Sequence, residues 1–134
     1  MKTRLIFINL TLLIVLNSCC FGTKENHLGN NIYLSEYDNV DRRILYKKTK
    51  CANSGEEIVP MTVLEISHNS EWIIAKSGNK RAKSDFKYWV IKNNYDQIPN
   101  PEIIIKNTTE FNDFDLFKSF LNENKINLEL KKGD

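Results

Sequence analysis

Residues 58–67 (IVPMTVLEIS) constrain the fold of this chain more than any other segment, because they are rich in β-branched side chains. Residues 71–76 (EWIIAK) return to the same pattern after a short polar break at residues 68–70. Two such runs joined by a short polar segment predict a β-hairpin. Pro60 is expected near the beginning of its strand or at a sheet edge, because it has no N–H to donate to a neighbouring strand.

Further strands are predicted on both sides of this hairpin. Residues 32–34 and 40–47 are short β-prone runs, and residues 102–106 (EIIIK) form another. Residues 86–92 (FKYWVIK) are apolar on both faces, which is typical of a strand in the interior of a sheet. The polar residues 77–85 are predicted to be a loop.

The hydrophobic period changes toward the end of the chain. Within residues 114–121, Phe and Leu side chains recur at intervals of three and four residues, which places them along one face of a helix. Asn112 or Asp113 can cap this helix by accepting hydrogen bonds from its first free N–H groups. We therefore predict an α+β fold, in which an antiparallel sheet of about five strands carries one C-terminal helix on a face.

The first eighteen residues have the layout of an export signal. Lys2 and Arg4 give a positive start, residues 5–16 are almost entirely apolar, and small or polar residues follow. The apolar run is shorter than the roughly 20 residues that a membrane-spanning helix needs. A cleaved secretory signal is therefore the favoured interpretation.

The end of this segment, Leu16-Asn17-Ser18-Cys19, resembles the lipobox of bacterial lipoproteins. The resemblance implies that Cys19 receives a diacylglyceryl thioether, that residues 1–18 are removed, and that Cys19 is acylated again, for example with palmitate. Two or three buried acyl chains would hold the protein firmly on a membrane. The alternative is an ordinary secretory signal in which the cysteine is incidental.

Cleavage at this site would divide the chain into a signal peptide (residues 1–18), a flexible tether (residues 19–31) and one small α+β domain (residues 32–134). Removing Lys2 and Arg4 from the nineteen basic residues leaves seventeen, against seventeen acidic residues. A mature chain without net charge argues against nucleic acid as a partner.

The chain has three cysteines, Cys19, Cys20 and Cys51. If Cys19 carries the lipid, Cys20 and Cys51 remain as an even pair in a compartment where disulfides persist. A Cys20–Cys51 bridge would join the tether to the domain. The alternatives are two free thiols, or a Cys20 that stays unpaired in a mobile tether.

Several phrases of the mature chain resemble a family of small lipoproteins that is common in the Bacteroidetes group and carries a domain of unknown function. The resemblance implies a lipoprotein of the cell envelope and specifies no activity. The matching phrases are residues 59–64 (VPMTVL), 72–76 (WIIAK), 88–91 (YWVI) and the helix within residues 117–126.

Catalytic and metal-binding patterns are weak throughout the sequence. His27 lies in the predicted tether and His68 in the predicted turn, so neither belongs to a cluster of metal ligands. Ser67 lacks the glycine-flanked motif of a nucleophile elbow. We therefore predict no catalytic residue, no metal and no cofactor.

A contact surface is predicted around one basic loop. Residues 76–87 carry five basic residues against one acid, and Lys80, Arg81 and Lys83 could contact anionic lipid headgroups, lipopolysaccharide or an acidic partner. The alternative is a solvated loop that serves solubility. Tyr88 and Trp89 are adjacent and must point to opposite faces of their strand; one is expected beneath the helix and the other outside, and Trp89 is included in the contact surface on that basis.

These observations favour a non-enzymatic module of the cell envelope that is held on a membrane by its N-terminal lipid and binds an envelope protein or a small ligand. The outer membrane is favoured over the inner one, because the residue after Cys19 is Cys20 rather than Asp. Two alternatives remain open. One is an immunity-type lipoprotein that neutralises a toxin, and the other is a small hydrolase acting on the cell wall.

Overall fold

The computed structural model of the chain describes residues 23–37, 41–52 and 54–132. These residues form nine β-strands and two short helices. The elements in chain order are β1 (Thr23–Gly29), β2 (Ile32–Tyr37), β3 (Asp41–Tyr46), β4 (Glu56–Val59), β5 (Thr62–His68), β6 (Trp72–Asn79), β7 (Ser84–Lys92), α1 (Pro101–Lys106), β8 (Thr108–Phe111), α2 (Phe114–Glu123) and β9 (Lys131–Lys132).

The strands form two antiparallel sheets, one in the order β1-β2-β3-β4 and the other in the order β8-β7-β6-β5-β9. The antiparallel strands and the C-terminal helix that the sequence predicted are confirmed. The prediction of a single sheet of about five strands is wrong, because the first four strands form a sheet of their own. The protein is therefore mostly β, with a small helical part.

The chain passes from the first sheet to the second at Pro60. The predicted hairpin is confirmed as β5 and β6, with His68 opposite Ile73. The run at residues 58–67, however, is two strands in different sheets, β4 and β5. Pro60 cannot donate to a ladder, and Met61 after it has a φ of 71°, so the strand is broken here.

Two apolar cores lie on the two faces of the second sheet. The first core lies between the sheets, and the second lies beneath α2 and the segment that follows it. Burying each aliphatic side chain contributes roughly 1.5–3 kcal/mol. The first core contains Leu28, Ile32, Leu34, Ile44, Ile58, Val59, Val63, Ile73, Ala75, Trp89, Ile91 and Ile104. The second contains Ile74, Val90, Phe117, Leu121 and Ile126.

The segment predicted as a flexible tether is part of the first sheet from Thr23 onward. β1 pairs with β2 along its length, and the turn between them has positive φ at Asn30 (47°) and Asn31 (64°), as tight hairpin turns require. Gly29 has a φ of 125°, and a Cβ there would lie 2.6 Å from the Asn93 side chain. The domain therefore begins before residue 32. Residues 1–18, predicted as a signal, lie outside the described residues.

The segment predicted as a strand at residues 102–106 is instead α1. Pro101 occupies the first helical turn, where its missing N–H costs nothing and its fixed φ suits a helix. Ile104 is fully buried and belongs to the first core, whereas Ile103 and Ile105 are about half exposed. Ile104 therefore packs this short helix against the core between the sheets.

The second helix begins at the predicted capping position. The Asp113 carboxylate accepts hydrogen bonds from the N–H groups of Asp115 and Leu116, both at 2.9 Å. Phe117 and Leu121 are buried against the second sheet. The cap and the apolar face therefore fix where α2 begins and which side faces the core.

Candidate functional site

A groove of about 430 Å³ lies between α2, the outer face of the second sheet and the segment after α2. Its volume falls in the range of ligand-binding clefts, roughly 300–1,000 Å³. The walls come from distant parts of the chain: β5, β6 and β7 form the base, α2 forms one side and residues 128–130 form the other. The groove is lined by Glu65, Ile74, Lys76, Tyr88, Phe114, Phe117, Lys118, Leu121, Leu128, Glu129 and Leu130.

Aromatic rings form the floor of the groove. The Tyr88 ring lies 5.3 Å from the Phe117 ring, nearly parallel to it, and 5.2 Å from the Phe114 ring, measured between centroids. Phe117 is buried, but Phe114 is 44% exposed. The groove therefore offers an apolar, already ordered surface to a molecule that enters it.

Charged side chains of both signs surround this floor. The Lys76 Nζ lies 3.4 Å from the Glu65 carboxylate and 5.9 Å from the centroid of the Tyr88 ring. On the helix side, the Lys118 Nζ lies 5.8 Å from the Phe114 ring centroid, and Glu129 lines the opposite side. Partly exposed pairs of this kind add little stability, about 0–1 kcal/mol, so their positions at the groove suit recognition better than folding.

A second polar cluster lies on the first sheet, away from the groove. The Glu25 carboxylate accepts hydrogen bonds from the Lys47 Nζ, from the Ser35 hydroxyl at 3.0 Å and from the Cys51 N–H at 2.8 Å. The Glu25 and Lys47 side chains are 1% and 3% exposed. Burial alone would raise the pKa of Glu25, but the hydrogen bonds from Lys47, the Cys51 amide and Ser35 outweigh it, so the pKa is lowered.

Cys51 is disulfide-bonded. The other two cysteines of the chain, Cys19 and Cys20, lie outside the described residues, so the Cys20–Cys51 pairing and the lipid on Cys19 remain predictions. The amide of Cys51 binds Glu25 near the beginning of β1. The loop that carries the disulfide is therefore fixed to the first strand.

The three predicted contact cations, Lys80, Arg81 and Lys83, are exposed in the turn between β6 and β7. The Asn79 side chain accepts hydrogen bonds from the N–H groups of Arg81 (3.0 Å) and Ala82 (2.9 Å), which holds the turn in one shape. The loop predicted at residues 77–85 is shorter than expected, since β6 extends to Asn79 and β7 begins at Ser84.

The prediction that Trp89 belongs to a contact surface is wrong. Its side chain is 5% exposed and lies in the first core, where its Nε1 donates to the Ser77 hydroxyl at 2.8 Å. Tyr88 does point to the helix side, as the alternation of side chains predicts. The other face is covered by the first sheet, which the sequence prediction did not include.

Neither histidine lines the groove. The His27 ring contacts the Tyr33 ring at a tilt of 47°, with centroids 4.9 Å apart, and His68 is exposed at the end of β5. Within the described ranges, no three His, Cys, Asp or Glu side chains come together as metal ligands. Neither helix in the described part of the chain has the length and hydrophobicity needed to cross a bilayer.

Comparison with known proteins identifies a family for most of the chain. Residues 29–132 match a family described as a protein of unknown function, DUF3997. This range extends from the end of β1 to the end of β9 and includes the whole groove. No curated protein and no solved structure matches the chain significantly. Since the match covers well over half of the sequence, the chain belongs to the DUF3997 family, whose domain has no known function.

Proposed function

We propose that this protein is a lipid-anchored protein of the bacterial envelope whose groove binds a small amphipathic ligand without transforming it. The observation that carries the proposal is the aromatic floor of the groove, with Phe114 44% exposed beside the buried Phe117. Leaving a large aromatic ring half exposed forgoes hydrophobic stabilisation, roughly 25 cal/mol for each Å² left in water. A ligand that covers Phe114 would recover it.

The charges at the groove define the class of ligand. Lys76 and Lys118 lie beside rings of the floor, and Glu65 and Glu129 lie among the same lining residues. An apolar group on the floor would therefore place a polar or charged end next to side chains of either sign. Glu65 is held by Lys76, which suits a role in recognition better than one in proton transfer.

The anchor in this proposal comes from the sequence. The resemblance of residues 16–19 to a lipobox supports acylation of Cys19, and Cys20 after it favours the outer membrane. The wider resemblance to small lipoproteins of the Bacteroidetes group supports the same location. A binding domain on a lipid anchor would meet amphipathic molecules where they are most concentrated, at the membrane surface.

Replacing Phe114 by Ala is expected to weaken ligand binding about tenfold, because the ligand would lose an apolar contact of roughly 1–2 kcal/mol. Two probes report on the groove: anilinonaphthalene sulfonate, whose fluorescence rises in apolar sites, and a short-chain lysophosphatidylcholine that displaces it. Leu116→Ala is the matched control, since Leu116 is 64% exposed on the same helix and does not line the groove.

Equal binding of both probes by the wild-type protein and Phe114→Ala would contradict the groove as the binding site. Weakening by Leu116→Ala to the same extent would indicate a nonspecific helix surface instead. Turnover of a cell-wall fragment by the purified protein, lost in Glu65→Gln, would replace the binding function with a hydrolase.

A further inference from the structure

The distance from the lipid anchor to the folded domain is short. If Cys19 is the lipidated N-terminus, only three residues separate it from Thr23, where β1 begins. Four steps of at most about 3.6 Å allow a reach of roughly 14 Å. A flexible tether of residues 19–31 would have allowed a far longer reach between the lipid and the domain. On the proposed function, therefore, the end of the domain that contains Thr23 is held close to the bilayer.

The basic turn lies at this same end of the two-sheet domain. Thr23 pairs with Tyr37 and Tyr37 with Asp41 across the first sheet. The Asp41 carboxylate accepts a hydrogen bond of 2.9 Å from the Thr62 hydroxyl, which crosses to the second sheet. Thr62 in turn pairs with Gly78, two residues before the turn at residues 80–83. We call this end of the domain, from Thr23 to the basic turn, the proximal end.

The three cations of the turn form no ion pair in the described part of the chain, and Asp85 is the one acid beside them. Of the five basic residues at positions 76–87, Lys76 is paired with Glu65 and Lys87 with Glu110. Within the described ranges, no ion pair includes Lys80, Arg81 or Lys83. The charge of the turn is therefore available to an anionic surface.

We propose that Lys80, Arg81 and Lys83 contact the anionic headgroups of the membrane that holds the lipid, so that the proximal end faces the bilayer. This inference rests on the proposed lipid anchor. The reach of roughly 14 Å is a maximum, so the proximal end can settle on the bilayer and bring the turn within about 8 Å of the headgroups, the distance over which charges interact at physiological salt. A lipid surface is favoured over an acidic protein because the anchor brings headgroups to the proximal end without a further binding event.

The contact can be measured by acetylating lysines of the full-length lipoprotein after insertion into vesicles. One set of vesicles contains phosphatidylcholine alone, and the other contains added phosphatidylglycerol. We expect acetylation of Lys80 and Lys83 to be about fivefold slower in the anionic vesicles, the factor that corresponds to roughly 1 kcal/mol for each cation. Salt at about 1 M should remove the difference, because it reduces the screening length to about 3 Å.

Lys106 is the internal control, because it lies at the opposite end of the domain. It ends α1 and precedes Asn107, whose carbonyl accepts a hydrogen bond from the N–H of Lys92 at the far end of β7. The eight residues of β6 separate the two ends, about 25 Å at the rise of a strand. Acetylation of Lys106 should be the same in both kinds of vesicle.

Variants test the charge directly. Lys80→Glu with Arg81→Glu should abolish the protection of Lys83, whereas Lys92→Glu with Lys106→Glu at the far end should leave it unchanged. The mass of the N-terminal peptide reports the lipid separately, so an unacylated Cys19 would contradict the proposed anchor. An acylated protein whose Lys83 reacts equally in both vesicles would overturn the membrane contact alone. Protection in neutral vesicles only after envelope proteins are added would overturn it in favour of an acidic protein partner.

Discussion

Replacing Glu25 by Gln is expected to lower the free energy of unfolding by about 3–5 kcal/mol, because it leaves the Lys47 ammonium buried without a counter-charge. The two side chains are 1% and 3% exposed, so water cannot compensate the loss. Chemical unfolding followed by circular dichroism would measure the change. Ser35→Ala, which removes one neutral hydrogen bond to the same carboxylate, should cost only about 1 kcal/mol and gives a folded reference.

The double variant Glu25→Gln with Lys47→Met distinguishes the loss of the ion pair from damage to the surrounding fold. Replacing both members of a buried ion pair is often nearly neutral, so the double variant should recover most of the stability lost in Glu25→Gln. If Glu25→Gln alone were as stable as the wild-type protein, the carboxylate would not be balancing a buried charge.

The pH dependence of unfolding provides a second test of the Glu25–Lys47 ion pair. The pKa of Glu25 is lowered in the folded protein from its usual value of 4.5. A carboxyl with a lowered pKa contributes its full stability above the pKa of the unfolded chain, and that stability is lost as the pH falls through the lower folded value. We expect stability to decline below about pH 4.5, and to decline less steeply in the double variant.

Local sequence patterns predicted the elements whose signals lie within a few residues. The hairpin of β5 and β6 follows from two β-branched runs and a turn, in which the Asn69 side chain accepts hydrogen bonds from Glu71 and Trp72. The position and cap of α2 follow from its apolar spacing and from Asp113. In both cases the same residues that carry the pattern also make the contacts.

The two elements that the sequence analysis assigned wrongly, α1 and β1, do contain sequence signals for their observed structure. The order Asn100-Pro101-Glu102 is typical of a helix start, with proline in the first turn and an acid beside it, but the three Ile residues that follow favoured a strand. Gly29 and the two Asn residues after it have the composition of a hairpin turn. In the described sheet, β1 has a neighbouring strand on one side only, and its composition is largely polar. This composition favoured a tether over a strand, so the turn after β1 was not recognised.

Features that depend on long-range packing could not be predicted from one sequence. Trp89 is buried because the first sheet covers it, and no local pattern indicates that a second sheet exists. Glu25 and Lys47 meet across 22 positions of largely polar sequence. The groove likewise depends on where residues 128–130 lie against the second sheet. Residues 126–130 (INLEL) alternate apolar and polar side chains, which indicates an extended segment but not which strand it lies beside.

Phe117→Ala is expected to cost about 3–5 kcal/mol, because it opens a cavity in the core beneath α2. Phe117 is 1% exposed, and its ring contacts those of Tyr88, Phe111 and Phe114 at centroid distances of 5.3 to 6.1 Å. The same ring supports the floor of the groove, so the variant should also lose the ligand probes. Thermal unfolding and probe fluorescence measure the two effects.

The two cores lie on opposite faces of the second sheet. The Phe117→Ala variant should therefore lose structure around α2 before the rest of the domain unfolds. Amide hydrogen exchange is expected to accelerate first in α2, while β6 keeps its protection between β5 and β7. Phe117→Leu, which retains most of the apolar volume, should cost roughly 1 kcal/mol and keep the helix docked. Exchange that accelerated equally in α2 and β6 of Phe117→Ala would show that the domain unfolds as one unit, and that the floor of the groove is inseparable from the core between the sheets.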